Sequence, residues 1–159
     1  MYDPEGETSA DKVLEVVYYC AEKLGVKLMV IDSLMKCGIN EDDLNKQKAF
    51  ANKLAVAARD LNIHIFIVAH SRKTADENAN ASKFDVAGSA NLTNLVDNVI
   101  SVHRNKGREV EAMNVMPDID IMNEWMASVW LLKQRHGKGI ETKWGFSFEP
   151  QYFRYTEEK

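Results

Sequence analysis

Two apolar runs in this sequence each end in a residue able to do chemistry. Leu28-Met29-Val30-Ile31 leads into Asp32, and Ile65-Phe66-Ile67-Val68-Ala69 leads into His70. In open parallel sheets, ligands gather at the carboxyl edge of the strands. A carboxylate emerging there is what a nucleotide site uses to hold Mg²⁺ through water. Plainer roles exist for each residue alone. An aspartate at a strand end also caps a turn or helix, and a histidine there is commonly an ordinary hydrogen-bonded side chain. The conjunction carries more, because a polar stretch with Arg72, Lys73 and Lys83 follows directly. Further on, Lys133, Arg135, His136 and Lys138 crowd one turn, with Glu141 the only nearby acid in sequence. Such a run is either a solvated hairpin tip or a cation cluster aimed at phosphate.

The elements that must position these residues are legible in the patterning. Thr8 and Ser9 offer N-cap oxygens and Asp11 adds first-turn negative charge. Val13, Val16, Val17, Cys20 and Leu24 recur at helical spacing, and Gly25 stops the run. The runs at 28–31 and 63–69 lack alternation, which predicts strands buried on both faces of a parallel sheet. A helix from about Asp42 to Leu61, with Leu44, Phe50, Leu54, Ala57 and Ala58 inward, connects them. Helix, strand, helix, strand with short joints is an α/β pattern, and right-handed crossovers make the strands parallel. The polar stretch 71–85 reads as a long loop of the length usually reserved for function. A short helix begins near Gly88-Ser89, and 99–103 is a third strand. Residues 107–125 have no clean period and read as an excursion from the core. A fourth strand at 127–132 forms a hairpin with the alternating stretch 143–148 around Gly137 and Gly139, and 151–155 closes the fold.

Composition sets outer limits. The chain has 159 residues, 45% hydrophobic and 28% charged, which suits one globular domain and excludes a disordered, collagen-like or multi-span membrane protein. A net charge of −4 excludes a basic protein that coats nucleic acid indiscriminately, though not a local basic patch. Cys20 and Cys37 are too few for a disulfide scaffold or a four-ligand zinc site, and read as buried thiols of a reducing cytoplasm. No signal peptide opens the chain, since Tyr2-Asp3-Pro4-Glu5-Gly6 is acidic and turn-like.

Four segments, in order, resemble a known family. Lys27-Leu28-Met29-Val30-Ile31-Asp32-Ser33-Leu34 is similar to a Walker B strand. Ile65-Phe66-Ile67-Val68-Ala69-His70-Ser71-Arg72-Lys73 is similar to a strand ending in a phosphate-sensing polar residue. Phe84-Asp85-Val86-Ala87-Gly88-Ser89-Ala90-Asn91-Leu92, running on to His103-Arg104-Asn105, resembles a DNA-binding loop leading into a helix and strand. Leu132-Lys133-Gln134-Arg135-His136-Gly137-Lys138-Gly139 resembles a Lys-x-Arg hairpin. Together they resemble the C-terminal, RecA-like motor domain of hexameric replicative helicases of the DnaB group, the phage primase-helicases and the Twinkle group. The likeness runs from near residue 1 to about Tyr155.

The resemblance implies a RecA-like three-layer α/β sandwich over 1–159, mostly parallel with a C-terminal antiparallel hairpin, spanning the part of the ATPase domain from Walker B onward. It implies ATP or another NTP with Mg²⁺, single-stranded DNA as partner, a hexameric ring, a primase domain or protein as a further partner, no membrane, and a cytoplasmic setting. By the same resemblance Asp32 orders Mg²⁺ through water beside Ser33, and His70 senses the γ-phosphate. Lys133 and Arg135 reach a neighbouring subunit's ATP, Arg135 as an arginine finger. Arg72, Lys73, Lys83, Gly88 and Ser89 contact the DNA backbone. Ala87 departs from the family, which often has a basic residue there. The excursion at 107–125 is longer than in the phage enzymes. Trp125, Trp130 and Trp144 could serve as base-stacking platforms, with core or hairpin packing the preferred expectation.

The main departure is an absence. No Gly-x-x-x-x-Gly-Lys-Ser/Thr occurs in the chain. The expectation is a truncated piece of the ATPase core that does not turn over ATP by itself, with a gap in its sheet and exposed apolar side chains beside it. A RecA-like remnant acting as a DNA-binding or adaptor module is the alternative. A recombination or clock ATPase of the RecA or KaiC type is a third reading, which the Lys-Gln-Arg hairpin and Gly-Ser turn fit less well.

Overall fold

The computed structural model describes residues 6, 8–40, 42–69, 90–138 and 142–158. The described residues divide into two compact units. Those through Ala69, with 90–96, form the first; those from Asp97 onward form the second.

In the first unit, helix α1 spans Ala10–Leu24. Its N-terminus is capped by Ser9, whose hydroxyl accepts from the Lys12 amide at 3.1 Å. Gly25 ends it in the left-handed region at φ 67°, its amide returning to the Cys20 carbonyl, a conformation that glycine adopts without a Cβ penalty. Strand β1 (Leu28–Ile31) and strand β2 (His64–Ile67) pair in parallel, Leu28 opposite His64 and Ile31 opposite Ile67. Two hydrogen bonds carry the pairing past β1. The Val68 amide donates to Ile31 O at 2.9 Å, and the Leu34 amide donates to Val68 O at 3.0 Å. Helix α2 (Leu44–Asp60) makes the crossover, capped by Asp43, which accepts from the Lys46 amide at 3.0 Å. That hydrogen bond, with the nearby Lys46 ammonium, holds the Asp43 carboxyl below its usual pKa. A short 3₁₀ turn (Leu34–Cys37) follows β1, and helix α3 spans Ala90–Leu95.

Val17, Leu34, Cys37, Phe50, Leu54, Ala57 and Leu92 form the buried core of this unit. Met29, Ile31, Ile65 and Ile67 pack onto it from the strands. Burying a side chain such as Leu54 or Phe50 contributes about 1.5–3 kcal/mol. The expectation of strands buried on both faces is corrected. Leu28, Val30 and Phe66 are 58%, 63% and 43% exposed. The helices cover the face carrying Met29, Ile31, Ile65 and Ile67, and no described residues of this unit cover the other. Leu24, expected on the inner side of α1, is also exposed, and Leu14 joins the core instead. Cys37 is buried as expected, which raises its thiol pKa, whereas Cys20 is only half-buried.

The second unit is an antiparallel sheet in the order β3-β4-β5-β6, with strands Asn98–Arg104, Ala127–Gln134, Thr142–Glu149 and Arg154–Glu158. The expected hairpin is therefore present as β4 and β5, whereas the closing segment expected at 151–155 is shifted: 151–153 form a turn and β6 begins at Arg154. Between Val99 and Ile100 the partner steps from Lys133 to Leu131, so Leu132 is an extra, unpaired residue that marks a bulge in β4. The excursion contains two short helices, α4 (Lys106–Glu111) and α5 (Ile119–Met122). The register sets His103, Ser128 and Gly145 side by side across three strands.

Gly145 is buried where the Trp125 ring lies against the sheet; a Cβ placed there would stand 2.1 Å from Trp125 Cδ2. A backbone approach this close requires glycine. Gly145→Ala is expected to push the indole off the strand, destabilising the protein by about 1–3 kcal/mol and shifting tryptophan emission to the red. Thermal unfolding and fluorescence together check this, and an unshifted spectrum with unchanged stability would refute it.

Candidate functional site

Asp32 follows β1 directly, at the carboxyl end of the parallel pair, and its side chain is exposed. The next residue, Ser33, is buried at 5% exposure. The Ser33 carbonyl accepts from the Lys36 amide at 3.0 Å and from the Cys37 thiol at 3.5 Å, which fixes the chain as it leaves the strand. Asp32 is thus presented outward by a segment whose backbone is hydrogen-bonded and whose neighbours Ser33 and Leu34 are buried. His70, Arg72, Lys73, Lys83, Gly88 and Ser89 lie outside the described residues.

A Mg²⁺–nucleotide pair can be tested against this donor set. Among the described residues, no group of three or more His, Cys, Asp or Glu side chains converges to hold a metal ion. A single exposed carboxylate at a strand end does not chelate a cation unaided. It fits a cation that keeps its waters and takes other oxygens from phosphates.

The second unit carries the cation pair. Lys133 sits on β4, half-buried, opposite Val99 of β3. Arg135 follows the strand. Its amide donates to Asp97 O at 2.8 Å, and its guanidinium Nη1 donates to Asp97 Oδ1 at 2.9 Å. His136 Nε2 lies 3.5 Å from the same oxygen. Sequence reading placed Glu141 as the local acid, but that residue lies outside the described ones. The acid that meets the guanidinium is Asp97, 38 positions away. The register explains it: Asn98 stands opposite Gln134, so the residues flanking that pair, Asp97 and Arg135, become neighbours. Both side chains are about half exposed, at 43% for Arg135 and 54% for Asp97. Such a pair fixes geometry while adding only about 0.2–1 kcal/mol.

A third arrangement escaped sequence reading. Lys143 Nζ lies 4.0 Å from the centroid of the Trp130 ring and 5.1 Å from that of Trp125. Desolvation there lowers the pKa of Lys143, and Glu124 pulls in the opposite sense. The alternation in β5 placed Lys143 and Gly145 on one face, but no spacing rule could bring Trp125 to them. The indoles of Trp125 and Trp130 are engaged in this packing, in line with the preferred expectation for the tryptophans. An open pocket of about 550 Å³ adjoins them, lined by His103, Asn105, Glu124, Trp125 and Lys143 among others.

No protein-family model matches the sequence, and no curated protein matches it. Solved structures do match in fold. A DnaB-like replicative helicase, described together with its interactions with primase, aligns with a TM-score of 0.67 at 15% identity, covering 97% of this chain and 36% of that one. A KaiC-like protein, PH0186, from the hyperthermophilic archaeon Pyrococcus horikoshii OT3 aligns with a TM-score of 0.57 at 13% identity, covering 94% of this chain and 57% of that one. The chain therefore spans about a third and somewhat over half, respectively, of the proteins it matches. It shares the RecA-like α/β fold of these proteins, with one parallel and one antiparallel sheet among the described residues.

Proposed function

We propose that the chain is part of an ATP-dependent DNA helicase motor that moves on single-stranded DNA as a ring. The observation that carries this reading is the likeness in fold, over 97% of the chain, to a DnaB-like replicative helicase. Asp32 at the carboxyl end of the parallel pair supports it. In this reading Asp32, beside Ser33, orders Mg²⁺ through water, and His70 senses the γ-phosphate. Arg135 and Lys133 act on the ATP of a neighbouring subunit, where an arginine finger stabilises the charge that develops during phosphoryl transfer. Asp97 is the positioning residue that holds the guanidinium until phosphate replaces it. Arg72, Lys73, Lys83, Gly88 and Ser89 follow the DNA backbone, and charge and amide contacts of this kind are tolerant of sequence. The similar helicase is described with primase, so a primase protein or domain is the protein partner this reading suggests.

One observation favours a second reading for these 159 residues taken alone, namely that they contain no P-loop motif. On that reading the chain is an ATPase-inactive DNA-binding or adaptor module. The readings separate by experiment. A Gly-Lys-Ser/Thr loop encoded upstream in the same frame would favour the motor. In that longer protein Arg135→Ala is expected to lower kcat by about 10³-fold or more, and an unchanged kcat would overturn the finger assignment. The purified chain is expected to show no ATP turnover with Mg²⁺ and DNA; turnover lost in Asp32→Ala would overturn that.

Two further outcomes test the residue roles. Single-stranded DNA binding by the chain should weaken with salt, and Arg72→Ala and Lys73→Ala should each flatten the log–log salt slope by about 0.7. Slopes unchanged by both substitutions would remove these residues from the DNA contact. A double-mutant cycle on Asp97→Asn and Arg135→Gln, read by urea unfolding, should give a coupling of about 0.2–1 kcal/mol. Zero coupling would mean that Asp97 does not hold the guanidinium.

A further inference from the structure

The connection between β3 and β4 is built with its apolar side chains facing solvent. Val110, Met113, Val115, Met116 and Ile119 are 64%, 85%, 100%, 89% and 74% exposed. Its polar groups are spent on bracing the connection itself. Asn105 Oδ1 accepts from the Arg108 amide at 2.9 Å, and Asn105 Nδ2 donates to Glu124 at 2.6 Å. The Arg108 guanidinium donates to Met122 O at 2.9 Å. Glu111 Oε1 accepts from the Asp118 amide at 2.8 Å, tying the two short helices together. Arg104 holds Glu109 through two hydrogen bonds of 2.5 and 2.8 Å. These bonds brace the backbone from which the five apolar side chains project. An exposed apolar cluster of this kind marks a contact surface, and methionines let such a surface fit a partner of irregular shape.

Charge selects the occupant. Between Lys106 and Glu124 the connection carries five carboxylates against two cations. Asp118 and Asp120, which flank the exposed Ile119 in sequence, and Glu124 are exposed and form an acidic rim along the connection. That rim repels nucleic acid and anionic lipid. A second copy docking face to face would bring like rims together. We propose that this surface, on the connection 105–126, docks a protein segment that is apolar on one side and edged with Lys and Arg, an amphipathic basic helix above all. Apolar contact supplies the affinity, and the acidic rim supplies orientation and rate of encounter.

The test uses the full chain and two labelled model peptides of the same length and pattern, one a Leu–Lys amphipathic helix and the other its Leu–Glu counterpart. Fluorescence anisotropy is expected to show binding of the Leu–Lys peptide only. The pair Met113→Ser with Met116→Ser should weaken it by about tenfold or more, as for central interface residues. Asp118→Asn with Asp120→Asn should slow association and reduce its salt dependence. All four positions are exposed, so the fold is retained, and circular dichroism verifies that. Equal binding of both peptides, binding by the variants as tight as by the parent chain, or no binding of either peptide would overturn the proposal. So would a dimer in sedimentation that the Met113→Ser, Met116→Ser pair dissolves, which would assign the surface to a second copy.

Discussion

Two parallel strands cannot be joined by a tight turn. The chain must leave the carboxyl end of the first and travel back to the amino end of the second. In this protein α2 makes that return, and the rest of the first unit follows from it. Phe50, Leu54 and Ala57 of the crossover helix meet Val17 of α1 and the inward side chains of β1 and β2. Because both strands run the same way, the segments leaving them begin at one edge. Asp32 stands at that edge as a geometric result of the crossover. Its neighbours Ser33 and Leu34 are buried and anchor it, so the carboxylate is held at a defined place while remaining open to solvent.

The second unit solves a different problem by different means. An antiparallel meander needs no crossover, and its register alone decides which side chains meet. Register brings Asp97 to Arg135 and sets Ser128 beside Gly145. The missing side chain at Gly145 makes room for the Trp125 indole, which lies near the Lys143 ammonium. A guanidinium ordered by an exposed carboxylate stands at a defined place, which suits a group whose proposed work is to meet a phosphate.

Much of this was legible in the sequence. Ser9 and Gly25 announce α1, the period of Phe50, Leu54 and Ala57 announces α2, and the alternation after Thr142 announces β5. What was not legible has a common cause. Periodicity reports which way a side chain points, but not whether anything lies opposite. Val30 and Phe66 belong to unbroken apolar runs yet face away from the helices. Leu24 lies in line with Val13 and Val17 and still ends exposed. The partner of Arg135 was hidden for a related reason. Pairing across 38 positions is a property of strand register, and the extra residue Leu132 in β4 shifts that register by one residue. The position of Asp32 at a strand end was legible, but Lys133, expected in the turn, lies on β4, and Asp97, Trp125 and Lys143 were found only in three dimensions.

The place of α3 in the core has a consequence for how the molecule is made. Leu92 is buried among residues from α1 and α2, although it lies more than thirty positions beyond Leu54. On a ribosome, α1, β1, α2 and β2 emerge early, but their core stays open until the chain past Leu95 is available. Apolar side chains that wait in this way are exposed to aggregation during synthesis. The meander that emerges afterwards makes its contacts mainly between strands adjacent in order, and such pairing closes quickly. The half of the protein synthesised first is therefore the half whose last core residue arrives late.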